Sequence, residues 1–292
     1  MHRTTGRGLV AGLAAAAAAL AIAACSNDHI MVPPPQAVTR LQADSVAEVV
    51  SADADAMIDG ATFSVGASGS FAGTAPASPD VCVSRTPASP ANSDSDAVPD
   101  SVRLDFSGCV FGFAGHTLTI TGTIDFLDPS PTQTDHALET RYTDFGFSAH
   151  DSATGKTRSF TQNGTRTVSG SDSVLSFTET GFQTVYTFAN GATATHLVDW
   201  SAVFRADVAG TIHPDSLPSG DWDITGTSTW SRGGNDYSLA VTTNPQLHFN
   251  ATCAVRPRFD AGTLTAVVTR NGATSTVTVQ FTACGQYTVT RS

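Results

Sequence analysis

The sequence predicts an all-β protein. Its strands form an antiparallel hairpin meander, folded into a sandwich or curled into a barrel-like sheet, with one short helix near the N-terminus. Three observations carry this. Beyond about residue 60, apolar residues recur at every second position, as in Val102, Leu104 and Phe106, in Leu118, Ile120, Ile124 and Phe126, and in Val277, Val279 and Phe281. Period two with Thr and Ser between describes strands with one buried and one wet face. Three pairs, Asn163-Gly164, Asn190-Gly191 and Asn271-Gly272, interrupt runs rich in Thr, Val and Phe. Asn-Gly accepts the positive φ that tight hairpins need, and SRGGNDYS at Ser231–Ser238 offers a fourth turn. Helical spacing is confined to one stretch before residue 60.

The elements follow in order. Arg3 and Arg7 precede an apolar run from Leu9 to Ala24, too short to span a bilayer comfortably and typical of an export signal. The run ends in Ile22-Ala23-Ala24-Cys25, which resembles the lipobox of bacterial lipoproteins. The resemblance implies a signal peptide over residues 1–24, cleavage before Cys25, and acyl chains such as palmitate on Cys25. Ser26, rather than Asp, follows it, which resembles an outer-membrane address. Each buried methylene of an acyl chain adds about 0.8 kcal/mol, so several chains anchor firmly to the membrane. Residues 25–43 then read as lipidated Cys plus a tether stiffened by Pro33-Pro34-Pro35, and residues 44–292 as one large β-rich domain.

Ser45-Val46-Ala47-Glu48 matches a capping box and opens a helix over about Ser45 to Asp59. Val46, Val49, Val50, Met57 and Ile58 supply its apolar face, and Gly60 stops it. Asp53, Asp55 and Asp59 read as its solvated face. Residues 66–100 are poor in bulky side chains and carry Pro-Ala-Ser-Pro twice, flanking Cys82, which describes a flexible excursion from the domain.

The chain carries 15 basic and 26 acidic residues, a formal net charge of −11. Loss of Arg3 and Arg7 with the signal would make it −13. Such a chain repels phosphate backbones and has no basic stripe, which argues against nucleic acid as a partner. Beyond Cys25 four cysteines remain, Cys82, Cys109, Cys253 and Cys284, without metal-ligand spacing. An even count in an exported chain points to disulfides, with three pairings available. An internal echo favours one of them: SVRLDFSGC at Ser101–Cys109 aligns with TVTVQFTAC at Thr276–Cys284, and each has another Cys upstream. That pairing is Cys82–Cys109 with Cys253–Cys284. Each bridge would contribute ~3–4 kcal/mol through the unfolded state.

The echo also places the acidic stretch NSDSDAVPDSV on a hairpin loop. Asn92, Asp94, Asp96 and Asp100 offer side-chain oxygens, and Val98 a carbonyl, the donor chemistry that calcium takes. The stretch resembles the D-x-D-x-D-G-x-x-D loop of thrombospondin type 3 repeats and, more loosely, EF-hand and dockerin loops. That resemblance implies calcium as a structural cofactor. Ala97 stands where those families have Gly, and Arg103 where an EF-hand has its bidentate Glu. The competing reading is a solvated Asp/Ser/Pro turn.

A nucleophile elbow, a P-loop, a dinucleotide fingerprint and H-E-x-x-H are all missing from the sequence. The histidines after the tether stand singly and read as surface or turn residues. Trp222 and Trp230 share parity along DWDITGTSTW, so an unbroken strand puts both on one face, either as core or as a ligand-binding shelf. The reading that results is a lipid-anchored envelope protein, non-enzymatic, acting as a binding or structural module toward a protein, glycan or lipid ligand. Two alternatives stand beside it. An envelope hydrolase requires an open polar cleft, and a carrier of apolar ligands requires a continuous cavity.

Overall fold

The computed structural model describes residues 37–61 and 82–292, apart from residues 97, 114, 134, 214, 215 and 234. Cys25, the tether and the first part of the 66–100 excursion lie outside the described residues. Among the described residues one helix, α1 (Arg40–Gly60), precedes fourteen strands: β1 (Val83–Thr86), β2 (Ser101–Phe113), β3 (His116–Leu127), β4 (His136–Asp151), β5 (Lys156–Gly170), β6 (Val174–Thr187), β7 (Thr193–Ala206), β8 (Gly220–Arg232), β9 (Asn235–Thr243), β10 (Leu247–Phe249), β11 (Phe259–Ala261), β12 (Thr263–Arg270), β13 (Ala273–Ala283) and β14 (Gln286–Arg291).

All strands belong to one antiparallel sheet, ordered β1 through β9 and then β12, β13 and β14. The short β10 pairs with β8 and β11 beside that path. The meander is open, with β1 and β14 as its two edges. A sandwich of two sheets is thereby replaced by one curled sheet.

The curl has a local cause. Consecutive long strands each carry an irregularity near mid-length: between Phe106 and Cys109, Thr121 and Thr123, Tyr142 and Phe145, Asn163 and Thr165, and Glu179 and Phe182. A bulge bends its strand and raises the local twist, so bulges aligned across neighbours form a crease. Glycine permits the close approach there. A Cβ at Gly122, whose φ is +90°, would lie 2.2 Å from the Asp144 carbonyl oxygen.

The crease also corrects one expected turn. Asn163-Gly164 does not connect two strands but lies inside β5, where Gly164 faces the Phe182 backbone and the Asn163 carboxamide accepts the Asp144 N–H at 2.9 Å. Asn190-Gly191, Asn271-Gly272 and the Gly233 region do join strands. Asn271 and Gly272 both take positive φ.

Helix α1 lies in the hollow of the sheet and contacts β12, β13 and β14. Its far end reaches β4, β5 and β6, where the Ala61 carbonyl accepts from His136 Nε2 at 3.3 Å and Gly60 abuts Arg166 and Phe177. Ala43, Ala47, Val50, Ala54, Met57 and Ile58 form its buried stripe at helical spacing. The helix starts earlier than the expected Ser45. Thr39 is the N-cap and pairs with Gln42 in a capping box, whereas the Ser45 hydroxyl donates to the Leu41 carbonyl within the helix. The two motifs share one sequence pattern; at the upstream one, Val38 just before the cap is buried and its N–H donates to Ser275 Oγ at 3.1 Å.

Both expected disulfides form: Cys82–Cys109 and Cys253–Cys284, with Cα atoms 5.1 and 5.6 Å apart. The first joins the start of β1 to β2. The second joins the β10–β11 connection to the end of β13, so the two echoing units share a strand and a bridge rather than a whole hairpin.

Candidate metal centre

The acidic stretch closes the long connection from β1 to β2. Its residues divide into two groups. Asn92 and Asp100 shape the loop: Asn92 Oδ1 accepts from Ser95 N at 2.7 Å, and Asp100 accepts from Ser93 N at 2.7 Å and Ser93 Oγ at 2.6 Å. Those hydrogen bonds hold the Asp100 carboxyl below its usual range. Val98 and Pro99 are buried and pin the loop to the core.

Asp94 and Asp96 instead meet a residue that the sequence reading did not include. Asp128 follows β3 directly, and the β2–β3 register sets Ser101 opposite Leu127. Asp128 therefore falls beside Asp100, to whose carbonyl its N–H donates at 3.2 Å. One carboxylate oxygen from each of Asp94, Asp96 and Asp128 lies within 4.8 Å of the others. Only the strand register reveals this meeting, because no local pattern in Leu127-Asp128-Pro129-Ser130 points to the loop.

Each of the three carboxylates has the same arrangement. One oxygen accepts a backbone N–H: Asp94 from Asp96 N at 3.2 Å, Asp96 from Val98 N at 2.6 Å, and Asp128 from Ser130 N at 2.7 Å. The other, Oδ2, is buried without a hydrogen-bond partner in all three. Burial, above all, pushes Asp96 up to about 6, with the charges of Asp94 and Asp128 adding to it against the Val98 N–H. Burial likewise raises Asp128. The cluster is thus negatively charged, part-buried and short of positive partners.

The two tryptophans separate along β8. They share the inner face, but Trp222 is 0% exposed and packs against Phe177 and Phe204. It is core and offers no shelf. Trp230, half-buried at the strand's other end, is stacked with His196 and with Tyr186, their ring centres 4.1 and 5.7 Å from its own.

A second polar cluster lies under the helix. Asp53 faces His196 at 3.2 Å, and Arg166 pairs with Glu179 at 2.6 Å. Burial pushes the Glu179 carboxyl up against the opposing pull of Arg166. Asp55 and Asp59 pair with Arg256 and Arg258. The expected wet face of the helix is therefore its ion-paired face. His136 and His196 are also not surface residues, at 6% and 4% exposure. Their sequence neighbours gave no sign of this, because the partners, Ala61 and Asp53, come from the distant helix and its C-terminal cap. Comparison with known proteins returns no match: no family model, no curated protein and no solved structure is similar to this chain.

Proposed function

We propose that this chain is a lipid-anchored, non-enzymatic module of the bacterial cell envelope, held at the outer membrane through Cys25 and built to keep a fixed shape. One observation carries the reading: helix α1 fills the hollow of the sheet. A carrier of apolar ligands needs that hollow as a cavity. A hydrolase needs its polar groups open to substrate, whereas Asp53, His196, Arg166 and Glu179 are matched in pairs beneath the helix. The two disulfides suit an oxidising compartment, as the export signal requires.

Native-state hydrogen exchange tests the shape. A structural module protects the amides of α1 to the same free energy as the central strands β6 and β7. A helix that opens ahead of the sheet, exposing the hollow, would turn the reading toward a lidded carrier or enzyme. Palmitate labelling of the wild-type chain, lost in Cys25→Ser, tests the anchor separately.

A further inference from the structure

We propose that Asp94, Asp96 and Asp128 bind one hard divalent cation of the calcium class, which ties the β1–β2 loop to the end of β3. Proximity of acidic side chains does not carry this, since acidic turns are common without metal. The independent observation is Asp128. It is 6% exposed, and its Oδ2 is wholly buried with no partner.

A buried polar atom left unpaired forfeits the hydration it had in the unfolded chain, and the penalty grows when it carries charge. Three such oxygens, one on each carboxylate, make a solvated turn a poor account, because water does not reach them. Among the described residues, no Lys, Arg or His forms an ion pair with any of the three. Positive charge must come from elsewhere.

The donor set defines what would fit. Oxygen alone, without nitrogen or sulfur, selects hard cations. Oxygens within 4.8 Å of one another can be bridged through a centre with bonds of about 2.3–2.6 Å. Magnesium, with bonds of about 2.0–2.1 Å and a strict octahedron, is less suited to an irregular cluster. Calcium takes about six to eight oxygens, so beyond the three carboxylates the cation would keep water from its own hydration shell, on the side where Asp94 and Asp96 are part-exposed. The second oxygens, already bound to backbone N–H groups, orient each carboxylate.

The test uses the full chain in detergent micelles, disulfides intact and stripped by chelator. Calcium chloride alone is titrated by calorimetry, and thermal unfolding is followed in parallel. One site per chain is expected, with a Kd of about 10⁻⁴ to 10⁻³ M, as in extracellular calcium modules, and a raised Tm. Asp128→Asn should weaken binding by roughly tenfold or more, as loss of a ligand's charge demands. Asp172→Asn, which removes an exposed carboxylate on the β5–β6 turn, should bind like the wild type.

No heat and no shift in Tm for the wild type at about 10 mM calcium would overturn the site, and so would an Asp128→Asn variant that binds unchanged. Magnesium binding as tightly as calcium would overturn the class. The wild-type titration stands even if a variant fails to fold, and Asp94→Asn then supplies the second reading.

Discussion

Asp55, near the end of the helix, holds Arg258 from two sides: it accepts from the Arg258 backbone N–H at 2.8 Å and from its guanidinium Nε at 3.0 Å. Arg256 adds a third bond at 2.6 Å. With 2% of its surface exposed, Asp55 is a buried charge whose partners come from about two hundred residues downstream.

Removing one member of such a pair leaves the other's charge without compensation. Asp55→Ala is expected to destabilise the fold by about 3 kcal/mol. Asp59 makes similar contacts but is half exposed, so Asp59→Ala should cost less than about 1 kcal/mol. Urea unfolding of both variants, disulfides intact, measures the difference, and equal costs would refute the burial argument.

Two histidines are expected to titrate on opposite sides of the ordinary imidazole value. Burial opposes the charged form of His248, but Asp260 at 2.6 Å and Asp207 at 3.1 Å outweigh it and raise its pKa. Its stabilisation is present in full below the unfolded value of about 6.5 and is lost as pH rises through the folded value. For His136, burial dominates and lowers the pKa, so its contribution is lost as pH falls below about 6.5 toward the folded value. Imidazole NMR titration, with His248→Gln and His136→Gln for assignment, should place the His248 midpoint above that of His136.

The crease predicts a sharp contrast between glycines. In Gly122→Ala the new methyl meets the Asp144 carbonyl and the Phe145 backbone, in a strand that cannot move without its neighbours. A loss of about 3 kcal/mol or more is expected. Gly272→Ala also has positive φ but meets open space, so only the backbone penalty of about 1–2 kcal/mol applies. Chemical denaturation distinguishes them.

Each disulfide should contribute about 3–4 kcal/mol, since the loops they close span 27 and 31 residues of separation. The paired variants Cys82→Ser/Cys109→Ser and Cys253→Ser/Cys284→Ser should therefore lose similar stability. Only the first pair adjoins the loop that carries Asp94 and Asp96, so only its loss should also blunt a thermal response to calcium.

The fold was legible wherever its signal was local. Period-two runs marked strands such as β2 and β13, and the Asn271-Gly272 turn was visible because its backbone demand is met within two residues. Asn163-Gly164 misled for the same reason. A left-handed backbone serves a bulge as well as a hairpin, and only the neighbouring strand decides which. The acidic loop was visible, but its third carboxylate was not, because Asp128 joins it through strand register. Asp55 and His196 read as solvent-facing because their partners, Arg258 and Asp53, are distant in sequence.

The placement of α1 has a consequence for the order in which this molecule can assemble. Neighbouring strands of the meander are mostly neighbours in sequence, so the sheet can grow by short steps as the chain emerges. The helix is among the first segments to emerge, yet Val38 donates to Ser275, 237 residues later. Docking must wait for β12 through β14. Until then the helix's apolar stripe and the inner sheet face both stand open to water. A newly made chain must be kept from its neighbours over that interval, and the C-terminal strands carry the signal that it has ended.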